Sequence, residues 1–238
     1  MLELRDIRVR FGGLHALDGV SLSVAAGEIV GLVGPNGAGK TTLFDVISGT
    51  VRPHRGTLHF ENADISRTSA YQRARRGIGR TFQIPQPMHT LTVAENLTVA
   101  QRFGTGQVNP NTVAEILDLV ELTDRASRDA ASELSLAELK ALEVAKALAT
   151  QPRLLLLDEV LAGLEASGKR RFTKLLADIH ARYKPAILII EHDIETISTL
   201  CPRTAVLNFG QLIADGAPDV VFSQPDVVAS YTGAVHDA

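Results

Sequence analysis

Residues 2 to 11, LELRDIRVRF, alternate apolar and charged positions, the period-two rhythm of a half-exposed strand. GVSLSVAAG (19 to 27) repeats that rhythm. EIVGLVG (28 to 34) is instead a continuous apolar run, the mark of a strand buried on both faces. A glycine-rich turn follows, and apolar spacing then predicts a helix from about Lys40 to Ile47. SGTVRPHRG (48 to 56) is turn chemistry, and TLHF (57 to 60) and IGRTFQ (78 to 83) are further strands with a basic helix between them. After a proline-punctuated loop, IPQPMHT, the period changes to helical through VAENLTVAQRF (93 to 103), NTVAEILDLVEL (111 to 122) and SELSLAELKALEVAKAL (132 to 148). Strands resume at RLLLLDE (153 to 159) and AILIIEH (186 to 192), TAVLNFGQLIADG (204 to 216) is a closing hairpin, and two short helices end the chain.

Alternating buried strands and helices predict a mainly parallel α/β sheet. The strandless stretch from about Pro85 to Thr150 predicts a helical subdomain inserted between residues 1–84 and 151–238, which form the core of one domain. A chain of 238 residues is long enough to bury a real core, and 45% apolar with 21% charged residues is ordinary globular composition. The net charge of −3 gives no sign of a broad nucleic-acid-binding face. Arg73, Arg75 and Arg76 cluster on the basic helix, where solvated surface is the plain expectation. The single cysteine, Cys201, excludes an intramolecular disulfide and a cysteine-built metal site; it is expected to be a small buried or half-buried residue. No apolar run approaches the roughly 18 residues of a membrane span, and the N-terminus lacks the apolar core of a signal peptide. The expectation is a cytoplasmic chain that reaches a membrane only by docking on another protein.

GPNGAGKTT, Gly34 to Thr42, matches the phosphate-binding pattern G-x-x-x-x-G-K-[ST], here Gly34, Pro35, Asn36, Gly37, Ala38, Gly39, Lys40, Thr41 and then Thr42. It follows a buried strand and opens a helix, the context a P-loop requires. Glycines let successive amides turn toward phosphate oxygens, Lys40 supplies a point charge to the β- and γ-phosphates, and the Thr41 hydroxyl ligates Mg²⁺. LLLLDE places Asp158 and Glu159 at the C-terminal end of an apolar strand, where open α/β sheets put their ligands. Two carboxylates there are costly unless a cation meets them; Mg²⁺ is the natural partner of Asp158, and Glu159 is left to orient and polarise a water. Ser135 and Glu138 form an S-x-x-E capping box ahead of Leu136, Leu139, Leu142, Ala145 and Leu148. The same helix end is also an anion site in principle, so Ser135 is a cap, a ligand or both.

A P-loop, an LS-x-x-E segment shortly before LLLLDE, and IIEHD after the next strand occur in that order. Their combination resembles the ATP-binding subunits of ABC transporters along essentially the whole chain. The resemblance implies a P-loop NTPase fold: a RecA-like core with an N-terminal antiparallel β subdomain and an inserted α-helical subdomain. It implies that Gln83, in TFQ, touches Mg²⁺ and senses the membrane partner, that His192 is the switch histidine at the γ-phosphate, and that Phe11 stacks on adenine. Ala162 to Glu165 occupy the D-loop. Ser135, Ala137 and Glu138 then belong to a signature helix whose N-terminus faces the γ-phosphate held by a second ATP-binding subunit, identical or paralogous. In that case Ser135 is both cap and ligand, and two MgATP lie between two subunits. Three positions depart from the family pattern: Ala137 where glycine is usual, Val160 where proline is common, and Glu165 where Asn or Asp is more usual.

RFGGLHALDGVSLSV, GIGRTFQIPQP, LTVAENL, LLLLDEVLAGL, IIEHDIETI and the terminal VVASYTG are similar to one branch, the uptake systems for branched-chain amino acids and related amides or urea. GTGQVNP is shorter than the corresponding loop of that branch. The implied partners are membrane-spanning permease subunits and, indirectly, an extracytoplasmic solute-binding protein, with the chain peripheral on the cytoplasmic face of the inner membrane. The rivals are a soluble ABC ATPase acting on nucleic acid or ribosomes, for which no tandem unit, long coiled coil or basic insertion is visible, and a non-ABC P-loop enzyme: a GTPase, which needs an Asn-Lys pair the chain lacks, or a small-molecule kinase, which needs neither the LS-x-x-E segment nor a switch histidine. A methyl group at Ala137 crowds the close approach of backbone to phosphate. Ala137→Gly is therefore expected to raise hydrolysis and ATP-dependent dimerisation, read by phosphate release and by size exclusion with MgATP.

Overall fold

The computed structural model describes residues 1–232, so Gly233, the last residue of VVASYTG, and the rest of the C-terminus lie outside the described residues. Two compact units divide the chain: residues 1–70 with the chain from 186 onward, and residues 71–185.

The first unit holds an antiparallel sheet of β1 (Leu2–Phe11), β2 (Leu14–Val24), β4 (Arg55–Phe60) and β5 (Ala63–Asp64), in the order β2-β1-β4-β5. In β1 the apolar positions slip phase, from Leu2 and Leu4 to Ile7 and Val9, yet all four are buried. The register with β2 shifts between Leu4 and Ile7, and Asp6 takes φ 49° there. A bulge of this kind inserts an extra residue and returns the next side chain to the same face.

The unit's second layer is built on β3 (Ile29–Val33), which pairs in parallel with β8 (Ala186–Ile190) on one side and β9 (Arg203–Asn208) on the other. β10 (Gln211–Gly216) closes antiparallel on β9, as the hairpin pattern predicted. Arg203 clips this hairpin to the start of β3, donating to both carboxylate oxygens of Asp215 at 2.6 Å and to Glu28 at 3.0 Å. Those bonds, Asp215 foremost, hold its guanidinium firmly charged. The helices of the unit are α1 (Lys40–Ser48), α7 (Ile194–Leu200), α8 (Pro218–Phe222) and α9 (Pro225–Thr232). α7 lies directly on the backbone of β3: a Cβ at Gly31 would stand 2.9 Å from Ile197 Cγ2 and 3.4 Å from Cys201 Sγ. Cys201 is buried, as expected, and burial pushes its thiol up to about 12.

The second unit contains nearly all of α2 (Ala70–Arg75), then β6 (Ile78–Arg80), α3 (Val93–Thr105), α4 (Pro110–Leu119), α5 (Leu136–Ala149), β7 (Leu154–Asp158) and α6 (Ala166–Tyr183). β6 and β7 are parallel, Ile78 opposite Leu154 and Arg80 opposite Leu156. The strand predicted through Gln83 stops at Arg80; the Thr81 amide still donates to the Leu156 carbonyl, and the chain then leaves the ladder. Capping boxes open α3 (Thr92 with Glu95) and α5 (Ser135 with Glu138), and Asn109 caps α4 just ahead of Pro110.

One expectation is corrected by the structure. Arg73 is not solvated surface: it is 1% exposed, whereas Arg75 and Arg76 are exposed, because one stripe of the short helix turns inward and Arg73 falls on it. On α5, Leu136 is exposed although it begins the apolar series; burial sets in from Lys140 and extends around most of the helix.

Gly31→Ala is expected to cost about 1–3 kcal/mol through overpacking against Ile197, read as a lower urea midpoint at unchanged slope.

Candidate functional site: a P-loop and a paired-carboxylate strand end

In the first unit, β3 runs into the loop from Gly34 to Gly39, and α1 begins at Lys40. Gly34 is required there twice over: its φ is 145°, and a Cβ would lie 2.0 Å from the Leu207 carbonyl oxygen. Gly39, at φ 103°, comes so close to the Ala16 carbonyl that a Cβ would stand at 2.5 Å. Asn36 and Gly37 are exposed, Pro35 is half-buried and Ala38 is buried. No side chain caps α1, so the amides of its first turn point outward at the positive end of the helix dipole. Lys40 is buried at 6% exposure, and its ammonium donates to the carbonyls of Gly34 at 2.7 Å and Pro35 at 3.0 Å. The cation is thus held within the loop it serves. Thr41 is exposed on the first turn and Thr42 half-buried. The arrangement fits a chain of phosphates.

Leu32 of β3 stands opposite Ile190, the last residue of β8, so the two strands end within one residue of each other. His192, two residues beyond, is exposed at that same edge, just before Asp193, whose carboxylate caps α7 by accepting from the amides of Glu195 and Thr196. Phe11 is 52% exposed at the tip of the β1–β2 hairpin, opposite Leu14. Sequence reasoning missed Tyr231 of α9. Burial raises the pKa of its hydroxyl, and a hydrogen bond from the Gly34 amide pulls the other way.

In the second unit, every residue of β7 is buried and the strand ends on Asp158. Arg80, whose side chain is 8% exposed, meets Asp158 Oδ2 at 3.2 Å, and its guanidinium lies 5.2 Å from the centre of the Phe82 ring. The Asp158 amide donates to the Thr81 hydroxyl at 3.0 Å. Glu159 follows at φ 48°, in the left-handed region that a residue with a Cβ adopts infrequently. The bonds that hold it include the Gln83 amide nitrogen donating to Glu159 Oε2 at 2.7 Å, and the Lys140 ammonium at 2.8 Å and the Ala162 amide at 3.2 Å donating to the Glu159 carbonyl. Gln83 was found by resemblance; Arg80, Thr81 and Lys140 were not found at all, since single polar residues beside apolar runs carry no pattern of their own.

At the N-terminus of α5, the Ser135 amide and hydroxyl each donate to Glu138 Oε2 at 2.8 Å, and Arg125 Nε donates to Glu138 Oε1 at 2.7 Å. These bonds, that of the Ser135 backbone first and that of Arg125 next, lower the Glu138 pKa to about 2. Ala137 is exposed at the second helical position, where backbone geometry makes no demand for glycine. In the turn that follows β7, Val160 is buried, Ala162 donates back to the Glu159 carbonyl at 3.2 Å, and Glu165 stands at the N-cap of α6 without a side-chain capping bond. A Cβ on Gly163, at φ 76°, would sit 3.3 Å from Leu136 Cδ2. The second unit therefore gathers Gln83, Asp158 and Glu159, and carries Ser135, Ala137 and Glu138 on the helix that supplies Lys140.

Among sequence families, a profile described as ABC transporter matches residues 17–162. The chain belongs to the ABC transporter family. The high-affinity branched-chain amino acid transport ATP-binding protein BraF of Pseudomonas aeruginosa is 33% identical over 98% of both chains. LivG of Salmonella typhimurium, which carries the same description, is 35% identical over 98% of both. Among solved structures, a nucleotide-free ATP-binding cassette from an ABC transporter superposes with a TM-score of 0.87 at 33% identity, covering 97% of this chain and 98% of its own. The ADP conformation of an ABC transporter cassette gives 0.86 at 33%, covering 98% and 99%. The α/β P-loop NTPase fold with its antiparallel β subdomain and helical insertion is thus that of an ABC cassette, and the chain is an ATP-binding ATPase.

The lowered Glu138 pKa sets a sign. The carboxylate's contribution to folding is full above the ordinary value of 4.5 and is lost as pH falls toward about 2. Glu138→Gln is expected to flatten the acid limb of the stability curve in that window, measured by urea unfolding at stepped pH.

Proposed function

We propose that this chain is the ATP-binding and ATP-hydrolysing subunit of a membrane importer for branched-chain amino acids or related small polar solutes such as amides or urea. The observation that carries the reading is likeness over 98% of both chains to ATP-binding proteins of branched-chain amino acid transport. A methionine import ATP-binding protein of Brucella abortus, 36% identical over 94% of this chain, supports import of an amino-acid-like solute from further off. The chain acts as one ATPase domain, residues 1–84 and 151–238 as nucleotide-binding core and 85–150 as helical subdomain.

Gly34 to Thr42 wrap the phosphates, with Lys40 on the β- and γ-phosphates, and Phe11 stacks on the adenine. Its exposure leaves the ring face available for that contact. Gln83 holds the Glu159 carboxylate in place, and Glu159 takes a proton from the attacking water as it orients it. His192 donates to the γ-phosphate.

The family implies Mg²⁺. Thr41, Asp158 and Gln83 offer hydroxyl, carboxylate and amide oxygens, an all-oxygen donor set suited to a hard cation that keeps several waters. No group of three or more His, Cys, Asp and Glu among the described residues offers an alternative metal site. Bound there, Mg²⁺ would neutralise charge on the β- and γ-phosphates.

Ser135, Ala137 and Glu138 present the start of α5 to the γ-phosphate bound by a second copy or a paralogue, so two MgATP are enclosed between two subunits. ATP moves the assembly because its γ-phosphate is contacted better in the closed dimer than in the open one. Closure is passed to permease subunits through the loop after Gln83 and the helical subdomain. Exposed Phe82, Ile84 and Phe103 supply apolar surface for that docking. No helix among the described residues is long and apolar enough to cross a membrane. The subunit is peripheral on the cytoplasmic face, and an extracytoplasmic solute-binding protein delivers the solute.

The test is affinity capture of the tagged chain from its native membranes in mild detergent, with mass spectrometry of what accompanies it. Multi-span permeases and a P-loop partner are the expected result. Recovery of ribosomal or nucleic-acid-bound proteins alone would replace transport with a soluble ATPase role.

A further inference from the structure

Lys140 is one of ten buried polar or charged residues among those described, at 5% exposure, and it stands on the signature helix rather than in the P-loop or the carboxylate strand. Its ammonium donates to the backbone carbonyl of Glu159 at 2.8 Å. We propose that Lys140 is a positioning residue for Glu159, and that it joins the phosphate-facing end of the signature helix to water activation in the same chain.

Glu159 occupies the left-handed region at φ 48°, a sparsely populated conformation for a residue with a Cβ, so the bonds its backbone makes weigh in holding it there. Turning it to an ordinary helical or extended conformation would swing its carbonyl away from Lys140. A buried ammonium would then lose a charge-assisted bond that water cannot replace. The same rotation would carry the carboxylate away from the Gln83 amide, which holds Oε2 at 2.7 Å. Lys140 therefore joins the Ala162 amide in holding the main chain of Glu159, while Gln83 holds its side chain, and these bonds together favour one conformation.

The second step is along the helix. Lys140 lies five residues beyond Ser135, about 7.5 Å along the axis at 1.5 Å per residue. An α-helix transmits an axial displacement over so short a span almost rigidly. A shift of about 1 Å directed along the 2.8 Å bond would stretch it beyond hydrogen-bond range. The Glu159 carbonyl consequently reports the position of the Ser135 end. On the reading proposed above, on which this inference rests, Ser135 meets the ATP of the opposite subunit while Glu159 serves the ATP of its own. Lys140 is then the bond by which occupancy of one nucleotide site sets the geometry of hydrolysis at the other.

The test compares the full-length chain with Lys140→Met, which keeps length and burial but removes the donor, and with Lys140→Arg, which keeps charge and donors. Steady-state hydrolysis of MgATP gives kcat and KM, and thermal melting gives Tm. Lys140→Met is expected to lower kcat about 10- to 100-fold, the scale of a misplaced catalytic group, with KM and Tm close to the parent. Lys140→Arg is expected to recover a large part of the loss. A folded Lys140→Met at the parent kcat overturns the inference, as does a kcat loss accompanied by a matching fall in Tm, which marks a merely structural lysine. If Lys140→Met does not fold, Lys140→Gln is measured by the same split and the same criteria decide. Glu159→Gln separates the two levels. Full hydrolysis by that variant overturns the role of Glu159 itself, whereas its arrest beside a normal Lys140→Met overturns only the lysine's role.

Discussion

A charge withdrawn from water has to be met, and three buried cations in this chain show how that requirement builds the site. Lys40 meets the carbonyls of Gly34 and Pro35, Arg80 meets the Asp158 carboxylate, and Lys140 meets the Glu159 carbonyl. Each cation lies where a buried strand gives way to polar chain, beside the end of β3 or of β7. Hydrophobic burial makes those strands, but it says nothing about the direction in which the chain leaves them. The exit is set by hydrogen bonds that a buried ammonium or guanidinium cannot forgo. The unusual backbone at Gly34 and at Glu159 is accordingly found beside two of the three cations.

α5 shows the same requirement spread over one helix. At its start, Ser135 and Glu138 close a capping box and Arg125 holds the capping carboxylate from outside the helix. One turn on, Lys140 reaches Glu159. In the next turn Glu143, 3% exposed, accepts from the Gln86 amide at 2.8 Å, while Lys146 donates to the Gln86 carbonyl and to Glu143. A helix so tied at successive turns cannot slide without disturbing both the loop after Gln83 and the end of β7. Its polar residues point inward because they have partners there, and so a simple division into apolar and solvated faces describes it poorly.

Much of this was legible beforehand, for identifiable reasons. GPNGAGKTT states its geometry locally: a buried strand, glycines where the backbone must turn and approach a neighbour, and a lysine on the helix that follows. LLLLDE is equally explicit, since a fully apolar strand ending in two acids has few other uses. The S-x-x-E box at Ser135 appeared as written because a capping box involves only four consecutive residues. Arg73 and Leu136 went the other way. An arginine cluster and the first leucine of a periodic run are surface and core on average, but which stripe of a helix turns inward is decided by what packs against it.

The sequence by itself determined whatever depends on neighbours along the chain: strand and helix periods, caps, the glycine conformations of the P-loop and the family. The phase slip in β1 was also present in the spacing of its apolar residues, although only the pairing with β2 shows it to be a bulge at Asp6. Tertiary structure alone decided the meetings of residues far apart in the chain. Arg80 reaches Asp158 across 78 positions, Gln83 reaches Glu159 across 76, and Lys140 finds a carbonyl 19 residues away. No period or motif encodes such pairs. A buried charge accepts whichever partner the packed strands and helices bring within about 3 Å, and that distance exists only once the chain has folded.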